Sequence, residues 1–249
     1  MLLPSTPKGG LEFLFTECFG FVGHTRDCRA FLLGTHITEV ISTAAIFPVG
    51  WSWMSTIVSI FGANASGKSS LVRNLMTSFG RPTPFRINDR EAGYRLTRPD
   101  GKLVFVLGKY TTACGGLDAS FSYKGAADDV VFCVNKLAAK GHVVCEGIIA
   151  MSSWGIDRLV KQAQDQKAKG NHVIYALLSP PWEVVVDRLT KRQAASGRIR
   201  KTPFDPEKTV RAKHNGVPKK HAKLAAAGCD ARILPWQDPL PSLSAWLEQ

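Results

Sequence analysis

The clearest chemistry in the chain lies in residues 62–69. They read Gly-Ala-Asn-Ala-Ser-Gly-Lys-Ser, the G-x-x-x-x-G-K-S pattern of a P-loop, between an apolar run at 56–61 and a helix-forming run at 70–75. The glycines permit a tight turn whose N–H groups point inward, and the positive end of the following helix adds to the attraction for phosphate. The motif predicts that the chain binds a nucleoside triphosphate, namely ATP, together with Mg²⁺.

Individual roles follow from the motif and from an acidic residue later in the chain. Lys68 is expected to reach the β- and γ-phosphates, and the Ser69 hydroxyl is placed for Mg²⁺. Glu146 and Gly147 follow an apolar strand, where ligands gather in open α/β sheets, so we expect Glu146 on the metal side, acting through water. The predicted nucleotide-binding residues are Gly62, Ala63, Asn64, Ala65, Ser66, Gly67, Lys68, Ser69 and Ser70.

Bulk properties narrow the class of protein. A chain of 249 residues, 45% of them hydrophobic, suits one α/β domain with or without an appendage. Its net charge of +12 favours a polyanionic partner, usually nucleic acid. The six cysteines form no C-x-x-C pair, so neither a zinc site nor a disulfide framework is indicated, and a reducing, cytoplasmic location is expected. The uncharged stretch 40–63 leads straight into the P-loop, which argues against a membrane span.

The order of elements predicts the fold class. Apolar strands alternate with helices, which is typical of a mostly parallel sheet covered by helices on both faces, the three-layer P-loop NTPase fold. A β-hairpin is expected around Pro99-Asp100-Gly101, and 108–118 is expected to be a loop. Helical structure over 206–227 is expected to be interrupted near Gly216–Pro218.

Residues 1–53 differ from the remainder. They hold three basic side chains (Lys8, Arg26, Arg29) against four acidic ones (Glu12, Glu17, Asp27, Glu39) and sustain neither helical nor strand periodicity. We expect an N-terminal extension at 1–53, from a start codon assigned too far upstream or forming a small cap, and a P-loop domain at 54–249.

The region from the P-loop to about residue 200 resembles the nucleoside monophosphate kinase family. The match comprises Glu146-Gly147, the helical Arg188-Leu189-x-x-Arg192, and Gly197-Arg198 in the following loop. The resemblance implies a kinase with a basic lid. Arg188 and Arg192 share a helix face, and phosphoryl transfer depends on positioning and charge neutralisation, so Arg188, Arg192 and Arg198 are expected to act in catalysis. The alternative to a catalytic role is that these arginines only form a solvent-exposed basic face of the helix.

The sequence also departs from that family. An arginine-bearing loop usually follows the acid–glycine pair, whereas the uncharged residues 148–151 follow it here, and 81–125 does not look like a monophosphate-binding region. The acceptor is therefore not expected to be a free monophosphate held by its own phosphate.

Residues 109–118 resemble a motif of bacteriophage 5-hydroxymethyluracil DNA kinases, which phosphorylate the hydroxymethyl group of thymine-derived bases. The matching residues are Lys109, Tyr110, Cys114, Gly115, Gly116 and Asp118. The resemblance implies that Lys109, Tyr110, Gly115, Gly116 and Asp118 line the acceptor site, in the host cytoplasm if the protein is phage-encoded. A double glycine followed by an acid suits close approach to a flat base and a general base, although an ordinary turn fits equally well. Asp89 is the rival base.

The segment 188–223 is strongly basic. It contains only two acids, Asp205 and Glu207, and more cations than a lid requires, which favours a track for a DNA backbone over a disordered solubility segment. Its twelve basic residues are Arg188, Lys191, Arg192, Arg198, Arg200, Lys201, Lys208, Arg211, Lys213, Lys219, Lys220 and Lys223.

Three functions remain open from the sequence. The leading hypothesis is a kinase that transfers the ATP γ-phosphate to a hydroxyl of a nucleotide in DNA. A kinase for a free nucleoside or nucleotide is the first alternative, and an ATPase or non-catalytic nucleic-acid-binding module is the second.

Overall fold

The structure, a computed structural model of the chain, describes residues 54–87, 90–111, 115–121, 126–147, 155–195 and 204–249. The expected N-terminal extension at 1–53 lies outside the described residues, as do Asp89, Cys114 and Arg198. Within the described residues, no helix is both long enough and apolar enough to cross a bilayer.

One sheet organises the described part of the chain, with seven strands in the order β2-β3-β4-β5-β1-β6-β7. The strands are β1 (Thr56–Phe61), β2 (Thr83–Ile87), β3 (Arg90–Thr97), β4 (Leu103–Leu107), β5 (His142–Glu146), β6 (His172–Leu177) and β7 (Asp230–Ile233). Strands β4, β5, β1, β6 and β7 run parallel, and β2 and β3 extend the sheet through antiparallel pairing. The P-loop therefore leaves β1, the middle one of the five parallel strands, at the same edge where β5 ends in Glu146.

Helices cover both faces of this sheet, as predicted. The helices are α1 (Lys68–Ser78), α2 (Leu117–Ser120), α3 (Ala126–Ala138), α4 (Ile156–Ala168), α5 (Trp182–Ala195), α6 (Pro206–Thr209), α7 (Arg211–Ala226) and α8 (Leu240–Leu247). One core cluster joins one face of the sheet to α3, α4 and α7, and a second joins the other face to α1 and α8. This arrangement confirms the three-layer α/β prediction.

Strand β1 shows why the sheet is buried on both faces. Ile57 and Phe61 belong to the first core cluster, while Val58 and Ile60 belong to the second, and each is at most 2% exposed. A continuous apolar run, rather than an alternating one, is what a central parallel strand requires.

Two sequence predictions need correction. The interruption expected near Gly216–Pro218 is wrong, because α7 runs through Pro218 without a break and begins after Val210. Val217, His221 and Leu224 pack inward on both sides of the proline and hold the helix together.

The segment expected to be only loop at 108–118 contains the start of the short helix α2 and a bridge between Lys109 and Gly116.

Candidate active site

The two glycines of the P-loop are required for different physical reasons. Gly67 has a φ of 105°, a conformation that residues with a side chain rarely adopt. A Cβ on Gly62 would lie 2.4 Å from the Leu178 carbonyl oxygen and 2.4 Å from Ser66 Oγ. Gly67 therefore shapes the turn, and Gly62 lets the loop pack tightly onto the end of β6.

Lys68 opens helix α1 and folds back over the loop. Its Nζ donates hydrogen bonds to the carbonyl oxygens of Gly62 and Ala63, both at 2.9 Å, and the residue is only 8% exposed. Since a buried ammonium needs oxygen partners, these carbonyls fix the charge at the mouth of the loop.

Ser69 and Glu146 form the second polar contact of the loop. Ser69 Oγ donates to Glu146 Oε1 at 2.7 Å, and Glu146 is 2% exposed at the end of β5. Burial raises the pKa of the Glu146 carboxyl, although the Lys68 charge and the Ser69 hydrogen bond oppose that shift. A hydroxyl beside a carboxylate suits Mg²⁺, which takes few protein ligands and completes its shell with water and phosphate.

The double glycine at 115–116 brings the loop at 109–118 against this carboxylate. The Gly116 N–H donates to the Lys109 carbonyl at 2.7 Å, which closes the loop. A Cβ on Gly116 would lie 2.3 Å from Glu146 Oε1, and a Cβ on Gly147 would lie 3.1 Å from Asp118 Oδ1. The absence of side chains at Gly116 and Gly147 therefore allows Glu146 and Asp118 to approach each other.

These elements enclose one cleft of about 680 Å³ at the carboxyl edge of the sheet. Arg188 reaches it from α5, where its Nη1 donates to the carbonyl oxygen of Ser66 at 2.9 Å, and Arg192 follows one turn later. Most residues predicted to bind phosphate or to act in catalysis line this cleft: Asn64, Ala65, Ser66, Gly67, Lys68, Ser69, Ser70, Gly115, Asp118, Glu146, Arg188 and Arg192.

The chain is similar to a bacteriophage enzyme. It is 32% identical over 179 residues to a 5-hmdU DNA kinase of Pseudomonas phage PaMx11, and the match covers 69% of this chain and 86% of that protein. This chain belongs to the 5-hmdU DNA kinase family. It is therefore an ATP-dependent phosphotransferase, and the predicted resemblance to this kinase family is confirmed.

A chain from the PezAT chromosomal toxin–antitoxin system of Streptococcus pneumoniae aligns with a TM-score of 0.44 at 17% identity, over 74% of this kinase and 69% of that chain. No protein-family model matches the sequence.

Two residues of the 109–118 motif, Lys109 and Tyr110, make their contacts outside the cleft of the kinase. Lys109 Nζ lies 3.8 Å from Glu91 Oε2 on β3. The Tyr110 ring is 7% exposed and packs in the second core cluster near Tyr94, and burial raises the pKa of its hydroxyl well above the usual value. Neither side chain lines the cleft.

The kinase also has cleft residues that were missed in the sequence. Trp236, Gln237 and Pro239 follow β7 and line the cleft together with Asn74 and Leu178. Since β7 is parallel to β6, the segment after it must emerge at the same edge of the sheet as the P-loop. The rule that ligands gather at carboxyl ends of parallel strands would have identified this segment.

Proposed function

We propose that the protein transfers the γ-phosphate of ATP to the hydroxymethyl oxygen of 5-hydroxymethyluracil in DNA. The observation that supports this most strongly is that Asp118 lines the same cleft as Lys68 and Ser69, so donor and acceptor groups share one space. The relative from phage PaMx11 carries the matching name, a 5-hmdU DNA kinase.

On the donor side, the triphosphate would lie on the N–H groups of the P-loop. Lys68 would exchange its carbonyl partners for phosphate oxygens, and Arg188 and Arg192 would neutralise charge from the α5 side. Ser69 and Glu146 would hold Mg²⁺, which, when bound, neutralises charge on the phosphate oxygens. Arg198 is proposed to neutralise phosphate charge together with Arg188 and Arg192.

On the acceptor side, Asp118 would act as the general base. The hydroxymethyl oxygen forms a bond to the γ-phosphorus, the bond from that phosphorus to the bridging oxygen of ADP breaks, and the hydroxyl proton passes to the Asp118 carboxylate. A base placed within hydrogen-bond reach typically contributes about 10²–10⁴-fold to the rate. Asp89 remains the rival for this role.

The basic segment would hold the DNA backbone. Lys213, Lys219 and Lys223 are exposed on α7, and Lys219 and Lys223, one turn apart, lie on the side away from the buried His221 and Leu224. Other cations are engaged within the protein: the Arg211 guanidinium lies 4.7 Å from the centroid of the Trp182 ring. The exposed lysines would replace counterions on successive phosphates, which makes binding sensitive to salt.

The test is transfer of labelled γ-phosphate to matched acceptors. A duplex with one 5-hydroxymethyluracil, the same duplex with thymine, and the free nucleoside are incubated with the enzyme, and the digested product is identified by mass. We expect a phosphate on the hydroxymethyl oxygen of the first duplex and none on the second. A product found only on the free nucleoside would favour the small-molecule kinase instead, and hydrolysis of ATP without transfer would favour the ATPase module.

A further inference from the structure

One face of helix α1 contacts two segments that meet beside the cleft. Ser69 and Arg73 are four residues apart on this helix, so their side chains lie on the same face, about one turn from each other. Ser69 Oγ donates to Glu146 Oε1 at the end of β5, and Arg73 Nε donates to the carbonyl oxygen of Tyr110 at 3.3 Å. The helix that begins in the P-loop therefore contacts the loop at 109–118 as well as β5.

Both partners of the hydrogen bond between Arg73 and Tyr110 are held by the same core. Val72 and Leu75, on either side of Arg73 in α1, have no exposed surface and belong to the second core cluster. The Tyr110 ring is buried in that cluster too. Because one core holds the helix and the ring, the hydrogen bond from Arg73 fixes how the Tyr110 backbone is oriented towards α1.

The loop backbone at this contact supports residues that line the cleft. A Cβ on Gly115 would lie 2.7 Å from the Lys109 carbonyl oxygen and 3.1 Å from Tyr110 Cα. The Gly116 N–H donates to the same Lys109 carbonyl at 2.7 Å. Gly115 and Asp118 line the cleft. Since Gly115 packs this closely on residues 109–110, a shift of the Tyr110 backbone would displace the cleft-lining residues with it.

We propose that Arg73 is a positioning residue for phosphoryl transfer, because its hydrogen bond to the Tyr110 carbonyl fixes the distance between the P-loop and Asp118. Arg73 is not among the described residues that line the cleft, so it acts through the loop. The inference rests on the proposed function, in which Asp118 takes the proton of the acceptor hydroxyl. Reacting groups must be held in a near-attack geometry, and a misplacement of about 1 Å can lower the rate about 100-fold.

The experiment compares Arg73→Gln with Arg73→Met in steady-state phosphorylation of a duplex with one 5-hydroxymethyluracil. Glutamine places an amide N–H where the arginine Nε lies, methionine places a methyl group there, and both remove the charge. Arg73→Met is expected to lower kcat about 10-fold or more, since the loop loses its donor, with KM for ATP unchanged because the P-loop is intact. Arg73→Gln keeps the donor and should stay near wild type.

Arg98→Met is the matched control for a general loss of stability. Arg98 also donates from its guanidinium to a backbone carbonyl, that of Leu247. It follows the end of β3, which pairs antiparallel with the start of β4, at the opposite edge of the sheet from the cleft. Arg98→Met should therefore lower the melting temperature and leave kcat and KM near wild type, with rates measured well below the lowest melting temperature of the set.

Three results would overturn the positioning role and leave the proposed function intact. They are an unchanged kcat in Arg73→Met, equal losses in Arg73→Met and Arg73→Gln, or an equal loss of kcat in Arg98→Met. A wild-type enzyme that does not phosphorylate the duplex would overturn the proposed function, and the positioning role with it. If Arg73→Met loses its cooperative melt, Arg73→Ala, which also lacks the donor and is the best helix former, takes its place.

Discussion

The two sides of the cleft, the P-loop at 62–69 and the 115–118 segment that meets the end of β5, are built in opposite ways. They are called the donor half and the acceptor half below, after their proposed roles. The P-loop is contiguous in sequence, and Lys68 Nζ donates to the carbonyl oxygens of Gly62 and Ala63 within a stretch of seven residues. The acceptor half assembles distant segments, since Gly116 approaches Glu146, and Asp118 approaches Gly147. The donor half can therefore be recognised in any α/β protein, whereas the acceptor half depends on the particular fold around it.

Among the substitutions that distinguish the two halves, one at Lys68 in the donor half should reduce phosphoryl transfer most. Lys68→Met keeps the buried aliphatic stem and removes the charge, so we expect transfer to fall about 10³-fold, as when a strong electrostatic donor is lost. The melting temperature should fall by about 2–4 °C, because the carbonyl oxygens of Gly62 and Ala63 lose their donor. Lys161→Met, on exposed α4, is the control. Near wild-type turnover by Lys68→Met would remove the P-loop from the mechanism.

Replacement of Asp118, the proposed general base, should lower the rate of transfer by a smaller factor. Asp118 is exposed, so Asp118→Asn is expected to leave the fold intact and to lower kcat about 10²-fold or more, with little change in KM for ATP. Rate measurements under saturating ATP check this. If Asp118→Asn is silent and Asp89→Asn is not, the two acids exchange roles.

The junction between the halves is tested at Gly116. A Cβ there would meet Glu146 Oε1 at 2.3 Å, whereas a Cβ on Gly228, which also has positive φ, meets nothing within 4 Å. Gly116→Ala should therefore displace the acceptor loop and lower kcat about 10-fold or more, since small misplacements of reacting groups are costly. Gly228→Ala should change stability only. Equal activities of the two variants would mean that the halves do not depend on this contact.

Much of the fold and half of the site could be predicted from sequence, for reasons that differ by region. Buried parallel strands such as β1 are continuous apolar runs, and the P-loop is a local motif, so both are visible without contacts. The path of α7 through Pro218 could not be predicted, because packing of Val217 and Leu224 outweighs the local cost of a proline. Trp236 could not be singled out, because it reaches the cleft only through the pairing of β7 beside β6, which neighbouring residues do not reveal.

The smallest expected effect is on the melting temperature of the protein, through Glu146, the buried acid where the two halves meet. Burial raises the pKa of Glu146 above its ordinary value of 4.5, so its contribution to stability is greatest below pH 4.5 and is lost as pH rises through the raised pKa. Glu146→Gln removes that loss and should raise the melting temperature by about 2 °C at pH 8, with the gain shrinking towards pH 4.5. A gain that grows as the pH falls would contradict this sign.

The most direct measurement compares kcat/KM for a 5-hydroxymethyluracil duplex and for the free nucleoside across a series of salt concentrations. If the cleft phosphorylates a base that is presented by DNA, the duplex should be far the better substrate at low salt, because remote backbone contacts contribute to transition-state binding. Its kcat/KM should then fall steeply as salt rises, while that of the nucleoside stays flat. A preference for the nucleoside, without salt dependence, would contradict the account and leave a small-molecule kinase.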